Sequence, residues 1–350
     1  MTRDPASPVG IEDILQTTDT SVLGRMRRVP FLLYGILALA FGMISYFLGV
    51  LLVIPRYILG LNDYLLRTNE FIVWYSGMPV MLGIAFISID LFLLLSTRRE
   101  GRVVRFAPVA DPRVTVALTA YNDEESIGPA VRDFLGHGMV RRVIVVSNNS
   151  VDGTMAAAEA AGAITFNELK PGYGQCVHRC WTEALRFEDS ELIVLCEGDM
   201  TFRAFDLDKL LAYAPHADIV NGTRTVEPLR QYATQLSTVM YYGNLFVAKL
   251  LEARRLGRCT LTDVGTTYKL ARRDALTALL PKLSPNVNLE FNAYFMDRAL
   301  GNGLTMVECP ITFHQRIGVS KGGNVDNLRA LRVGGRMMIG IIFGWRYLGE

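Results

Sequence analysis

Glu191-Leu192-Ile193-Val194-Leu195-Cys196-Glu197-Gly198-Asp199-Met200-Thr201 is an unbroken apolar run that ends on two carboxylates flanking a glycine. A short run of this kind, bounded by polar and turn residues, reads as a strand buried on both faces, as strands of parallel sheets are. Comparable runs lie upstream at 114–119, 143–146 and 163–166 and downstream at 218–221. Helical patterns fall between them at about 124–136, 152–161, 174–187 and 205–213. That alternation predicts an α/β fold with a Rossmann-like, mostly parallel sheet.

Ligands of such sheets collect beyond the carboxyl ends of the strands. Three polar clusters stand there: Tyr121-Asn122-Asp123-Glu124-Glu125, Ser147-Asn148-Asn149-Ser150-Val151-Asp152-Gly153-Thr154, and Glu197-Gly198-Asp199-Met200-Thr201. Taken singly, acidic residues at a helix start are explained by capping, and Asp-Gly by turn chemistry. Glu197 and Asp199 at the end of a buried strand resist that explanation better. A hard divalent cation, Mg²⁺ or Mn²⁺, takes oxygen ligands of this type and bridges diphosphates.

Two long runs without charge, 31–54 and 71–96 apart from Asp90, each exceed the roughly 30 Å of a bilayer's hydrocarbon core. Arg25, Arg27 and Arg28 precede the first, and Arg98, Arg99, Arg102 and Arg105 follow the second, whereas the connecting loop holds Arg56 and Arg67. This bias predicts an integral membrane protein, of a cell inner membrane or its equivalent, with both ends cytosolic. Asp90 is costly inside a span, so it is expected to face a partner helix or reach toward the nearer interface.

Among the 350 residues the formal net charge is only +2, and basic residues are not interleaved with aromatics, which excludes nucleic acid as a partner. The five cysteines are odd in number and sit in apolar or helical sequence, as buried thiols do. Cys176, His178 and Cys180 lack a second ligand pair at zinc spacing and read as one packed helix turn.

With these pieces in order, residues 113–323 resemble glycosyltransferase family 2, inverting transferases of the GT-A fold, and in particular its branch related to dolichyl-phosphate mannose synthase. Tyr121-Asn122-Asp123 is similar to the family's Tyr-Asn-Glu, and 147–154 to its Asp-Asp-Gly-Ser-x-Asp-Gly-Thr. Lys170-Pro171-Gly172-Tyr173-Gly174 matches a lysine before a Gly-x-Gly turn, and Glu197-Gly198-Asp199 its Asp-x-Asp metal motif. Asn221-Gly222-Thr223-Arg224 resembles Gly-Ser-Arg, and Asp263-Val264-Gly265-Thr266-Thr267-Tyr268-Lys269 resembles Asp-x-x-Ser-Gly-Phe-Arg. The longest match runs from Glu308-Cys309-Pro310-Ile311 through Arg316 and Gly318 to Ser320-Lys321. Departures are Ser147 for an acid, Glu197 for Asp, and Lys269 for Arg.

The resemblance implies donor contacts from Tyr121, Asn122, Asp123, Asn148, Asp152, Lys170, Gly174 and Glu197. It implies a metal site of Glu197 and Asp199, with Thr201 where some relatives carry a further ligand. The expected reaction is transfer of one sugar from a nucleotide sugar to a polyprenyl or dolichyl phosphate. A phosphate acceptor is already anionic and needs cationic positioning instead of a base. Arg224, Lys269, Arg316 and Lys321, with the Ser320 hydroxyl, are the expected phosphate contacts, and Asp199, Asp263 and Arg316 the expected catalytic groups. Asp263 stays open between a base for an alcohol acceptor and an orienting carboxylate. The competing readings are a polysaccharide or glycolipid synthase with a hydroxyl acceptor, and an inactive membrane scaffold. The expected organisation is a cytosolic segment at 1–29, a hairpin at 30–97, a GT-A domain at 106–323 and an amphipathic helix at 324–350 lying on the membrane interface. Nothing in it speaks against a homo-oligomer.

Overall fold

The computed structural model describes residues 26, 29–99, 103–232, 234–318 and 326–350, with the backbone alone at 63, 64 and 99. They divide into two units, one on each side of residues 100–102.

In the N-terminal unit α1 (Phe31–Leu51) continues through α2 (Val53–Ile58). After the turn come α3 (Asn62–Tyr75), α4 (Gly77–Ser88), a π-helical turn over Ile89–Leu94 and α5 (Leu95–Arg99). The apolar helices span Phe31–Ile58 and Leu65–Arg98, long enough to cross a membrane and longer than the runs expected. Only 11% and 17% of their most apolar stretches are buried, the reverse of a core helix in a soluble domain. They pack through Gly35, Gly42 and Gly49, whose seven-residue spacing keeps one face of α1 bare. A Cβ on Gly35 would stand 2.8 Å from the Gly83 carbonyl oxygen, and one on Gly42 2.8 Å from that of Ser76. Small residues admit such close backbone approach.

Asp90 is fully buried in the π-helical turn and faces the partner helix. Its Oδ2 accepts from the Leu32 N–H at 2.7 Å, a first-turn donor without an intrahelical acceptor, and its Oδ1 pairs with Arg98 at 2.7 Å. Of the other basic residues counted for orientation, Arg25, Arg27, Arg28 and Arg102 lie outside the described residues.

The second unit is built on seven strands: β1 (Val114–Ala120), β2 (Val140–Ser147), β3 (Ile164–Asn167), β4 (Leu192–Glu197), β5 (Ile219–Thr223), β6 (Lys269–Arg272) and β7 (Met306–Pro310). Their order is β3-β2-β1-β4-β6-β5-β7, all parallel except β6. The helices are α6 (Glu124–Leu135), α7 (Thr154–Ala160), α8 (Tyr173–Leu185), α9 (Leu207–Tyr213), α10 (Thr238–Arg254), α11 (Arg273–Leu279), α12 (Phe291–Gly301) and α13 (Asn327–Phe343). The α/β fold with a mostly parallel sheet is the one expected, and the five expected strands recur within three residues at either end. Val114, Val116 and Leu118 of β1 and Ile193, Val194 and Leu195 of β4 are 0–1% exposed, which is why these runs lack alternation.

Strand β6 is absent from the apolar pattern, begins at the last residue of the motif that resembles the family's Asp-x-x-Ser-Gly-Phe-Arg strand, and shapes the site. It lies antiparallel between β4 and β5, with Leu195 and Asn221 both opposite Lys269. Its amino end therefore joins the carboxyl ends of β4 and β5 on one edge. Helix α10 also escaped the sequence pattern, because Val247, Ala248 and Leu251 are buried while Val239, Tyr242 and Phe246 are exposed, leaving no single apolar stripe.

The C-terminal segment expected at a membrane interface packs one face on the domain. Met337, Gly340 and Ile341 of α13 are buried, and Arg254 of α10 donates to the Ile341 carbonyl. Trp345 is buried against Tyr294 and donates its indole N–H to Asp297 at 2.8 Å. Leu328, Leu331, Ile339 and Phe343 remain exposed on α13.

Candidate active site

Each of the loops that follow β1, β2 and β4 holds one residue in the left-handed region: Asn122 (φ 52°), Asn149 (φ 57°) and Met200 (φ 65°). They are the three non-glycine residues with positive φ among the described residues. Asn tolerates this conformation, whereas Met pays for it, so the turn behind Asp199 is over-determined by its surroundings. Part of that surrounding is the packing at Gly198, where a Cβ would overlap the Ile127 side chain of α6.

The loops are laced together. The Asn122 N–H donates to Ser150 Oγ at 2.9 Å, the Asp123 N–H to Thr154 Oγ1 at 2.8 Å, and the Val151 N–H to Asn122 Oδ1 at 2.9 Å. Asp152 accepts from the Thr154 N–H at 3.1 Å. The Asn148 amide donates to the Lys170 carbonyl at 2.7 Å and accepts from the Gly172 N–H at 2.9 Å, which ties the second loop to the Lys-Pro-Gly-Tyr-Gly turn. At Gly174 a Cβ would run into the Val287 carbonyl and stand 2.8 Å from that of Pro285. Asn122, Asp123, Asn148 and Asp152, all expected to contact a donor, thus also hold the loops to one another. Tyr121 and Lys170 are exposed at the rim.

The acidic end of β4 stands in the middle. Asp199 is 1% exposed. Its Oδ1 accepts from the Thr201 N–H at 3.0 Å and from the Thr201 hydroxyl, so that hydroxyl orients Asp199. Its Oδ2 is buried with no hydrogen-bond donor among the described residues and faces Arg316 Nη1 at 3.1 Å. Arg316 Nη2 pairs with Asp123 Oδ1 at 2.8 Å, so one guanidinium bridges the first and third loops. Glu197 Oε1 accepts from the Thr267 hydroxyl at 2.6 Å. Burial, and then the charge of Asp199, push Glu197 up to about 7.

The floor, where β5 meets the amino end of β6, is a set of buried ion pairs. Asp263 is 0% exposed and accepts from Arg224 Nε at 2.7 Å, Arg224 Nη2 at 2.8 Å, Asn244 Nδ2 at 2.6 Å and the Gly265 N–H at 2.9 Å. Burial alone would raise its pKa, but the charge and hydrogen bonds of Arg224 win and hold it at about 2. Glu308 accepts from the Thr262 and Asp263 N–H groups at 2.7 and 3.0 Å, and burial pushes it up to about 7. Lys269, 1% exposed, donates to the Thr266 carbonyl and to Asn292 Oδ1 at 3.2 Å, and burial lowers it to about 7.

The sequence-based assignments therefore separate. Tyr121, Asn122, Asp123, Asn148, Asp152, Lys170, Gly174, Glu197, Asp199, Thr201 and Arg316 do lie on the connected loops of one sheet edge. Arg224 and Lys269, expected to meet a phosphate, pair with buried oxygens, and both oxygens of Asp263 accept hydrogen bonds, as those of an orienting carboxylate do. Ser320 and Lys321 lie outside the described residues. Tyr173, Thr267 and Asn292 were not nominated: the Tyr173 and Thr267 hydroxyls are 2.7 Å apart, and Asn292 Nδ2 donates to Tyr173 at 3.1 Å. Tyr173 and Thr267 both lie inside motifs of the family resemblance, but no local signal marks Asn292.

Two carboxylates are what the protein offers a cation, since no group of three or more His, Cys, Asp or Glu side chains able to hold one exists among the described residues. A buried carboxylate oxygen without a donor, beside a second carboxylate, fits Mg²⁺ or Mn²⁺, which are held by one or two carboxylates and complete their shells with water and substrate phosphates.

No protein-family model matches the chain. It is 31% identical over 212 residues to an uncharacterised glycosyltransferase of Mycobacterium tuberculosis, covering 60% of this chain and 89% of that one. It is 26% identical over 209 residues to the dolichyl-phosphate hexose transferase of Haloferax volcanii, covering 59% and 86%. It is 26% identical over 227 residues to the polyprenol monophosphomannose synthase of Mycolicibacterium smegmatis, covering 61% and 83%. Among solved structures, glucosyl-3-phosphoglycerate synthase from Mycobacterium tuberculosis, crystallised with Mn²⁺ and uridine diphosphate, matches 71% of this chain and 82% of its own at 17% identity and TM-score 0.46.

Proposed function

Since the chain belongs to the family 2-like glycosyltransferases, homologous to polyprenyl- and dolichyl-phosphate hexose and mannose transferases, we propose that it moves one sugar from a nucleotide-sugar donor to a polyprenyl phosphate at the cytosolic face of a membrane, with inversion. The observation that carries this reading is the end of β4, where Asp199 Oδ2, held by the Arg316 ion pair alone, and the half-buried Glu197 stand beside one another. Anionic and cationic groups side by side on one sheet edge suit a reaction in which a diphosphate leaves and a phosphate attacks.

Tyr121 offers an exposed aromatic face for a base, and Lys170 a cation beside the turn that precedes α8. Glu197 and Asp199 would hold a divalent ion, which when bound offsets the charge that grows on a departing nucleoside diphosphate. Thr201 keeps Asp199 in place. The acceptor's phosphate oxygen forms the new bond to the anomeric carbon as the bond to the diphosphate breaks, the electron pair leaving with the diphosphate. No proton has to move, which agrees with the sequestration of Asp263. Arg316 supplies a planar fork of N–H donors matched to phosphate oxygens at the mouth of the site.

A membrane acceptor agrees with the two long apolar helices, and the arginines flanking them support a catalytic unit on the cytosolic side. Leu328, Leu331 and Phe343 of α13, with Arg329 and Arg332 beside them, suit contact with the bilayer interface. The test is to incubate the full chain in detergent or nanodiscs with Mn²⁺ or Mg²⁺, a panel of nucleotide sugars and undecaprenyl phosphate, reading product masses. A lipid phosphate heavier by one sugar is expected, with turnover lost by at least about 10³-fold in Asp199→Ala. Folded protein that makes no product from any donor overturns the reading.

A further inference from the structure

The side chains around Glu197 form a chain of hydrogen bonds whose direction the chemistry of its carboxylate end dictates. At the far end Lys269 Nζ donates to Asn292 Oδ1 at 3.2 Å. Asn292 Nδ2 donates to Tyr173 Oη at 3.1 Å and to the Gly265 carbonyl at 3.3 Å. Tyr173 Oη and Thr267 Oγ1 are 2.7 Å apart, and Thr267 Oγ1 is 2.6 Å from Glu197 Oε1. With a cation bound Glu197 is ionised and only accepts, so the Thr267 hydroxyl donates to it. That leaves Thr267 Oγ1 as acceptor for the Tyr173 O–H, and Tyr173 Oη as acceptor for the Asn292 N–H. Every hydroxyl proton in the path has one place to go, and the path ends on one oxygen of one carboxylate.

Resting on the metal site proposed above, we infer that Thr267 is a positioning residue for that site: it claims Glu197 Oε1, fixes the rotamer of Glu197 and leaves Oε2 as the oxygen presented to the cation, with Tyr173 and Asn292 holding Thr267 in turn. A glutamate has one more rotatable bond than an aspartate, so a carboxylate at this distance from the backbone needs an anchor to present a set oxygen. Tyr173 carries a further consequence, because it opens α8 directly after the Lys170-Pro171-Gly172 turn: the turn expected to meet the donor and the acid expected to hold the ion are joined by two hydroxyls.

The experiment measures Mn²⁺ binding to the full chain by the loss of the free-ion electron paramagnetic resonance signal, with UDP and with GDP in turn. Wild type is compared with Thr267→Val, Thr267→Ser, Tyr173→Phe, Asp199→Ala, Glu197→Ala, Glu197→Asp and the double variant Glu197→Asp/Thr267→Val. Thr267→Val keeps the shape and removes the hydroxyl, and it should weaken Mn²⁺ binding roughly tenfold, the scale on which oriented partners of metal ligands act. Thr267→Ser should stay within about twofold, Tyr173→Phe should fall between, and Thr267→Val should cost little in the Glu197→Asp background, where the acid no longer reaches. Equal affinity of Thr267→Val and wild type overturns the inference, as does a Thr267→Ser variant as weak as Thr267→Val. Binding lost in Asp199→Ala but unchanged in Glu197→Ala overturns it while leaving the transferase reading intact. No Mn²⁺ binding together with no turnover by wild type removes both.

Discussion

Replacing Asp263 by Asn tests whether this acid anchors Arg224 or acts on substrate. The variant keeps the shape and one acceptor oxygen but leaves the Arg224 guanidinium, 7% exposed, without its counter-charge. Breaking one side of a buried pair costs about 3–5 kcal/mol, mostly from the stranded charge. For a unit of this size that is a fall of about 10 °C in melting temperature. Part of the loss has a pH signature. The folded pKa of about 2 lies below the ordinary 3.8, so the carboxylate stabilises the fold by about 2 kcal/mol above pH 3.8, a contribution lost as pH falls through 2. The gap between wild type and Asp263→Asn should therefore be full at pH 7 and narrow by about that amount toward pH 2.

Tryptophan fluorescence melts of the detergent-solubilised protein across pH supply the assay, since Trp181 and Trp345 are buried in this unit. Adding Arg224→Met to Asp263→Asn should restore at least half of the loss, because replacing both members of a buried pair is far cheaper than replacing one. Below its melting temperature the single variant should retain turnover within about a hundredfold of wild type, where loss of a general base removes up to 10⁴. An Asp263→Asn protein that melts within about 2 °C of wild type, or one that folds fully and is inert, refutes the reasoning.

Two further outcomes follow from the packing. Gly174→Ala drives a Cβ into the Val287 carbonyl oxygen, a backbone atom that cannot step aside, so the variant should lose more than about 3 kcal/mol and express as little soluble protein; a melt like wild type's counts against the packing of α8 on the 285–288 loop. Lys269, lowered from 10.5 to about 7 by burial, binds fewer protons folded than unfolded between those values, so its contribution to stability rises with pH across that window. Wild type should gain about 2 kcal/mol relative to Lys269→Met between pH 7 and 9, read from denaturant melts, and parallel curves would contradict the buried amine.

The parts of this fold that could be read from sequence are those whose cause is local. Strands β1 and β4 are apolar throughout because both faces are covered, and the carboxyl-end rule then located the three loops and Asp199. Strand β6 is four residues with a lysine at its head, and nothing near it in sequence announces that the Thr266 carbonyl and Asn292, on another helix, will accept that amine. In the hairpin the seven-residue spacing of Gly35, Gly42 and Gly49 is a local signal of close helix packing. The cations are a different case. A guanidinium that meets a phosphate and one that meets a buried acid look the same in sequence, and here the acids lie far from their partners in the chain, Asp263 from Arg224 by 39 residues and Asp123 from Arg316 by 193. What separates the two arginines is the state of the carboxylate each one faces. Asp263 has both oxygens occupied by five N–H donors and holds Arg224 as structure. Asp199 presents to Arg316 an oxygen with no hydrogen-bond donor, and a pair left that incomplete in a buried setting is one in which a ligand can replace the protein's own cation.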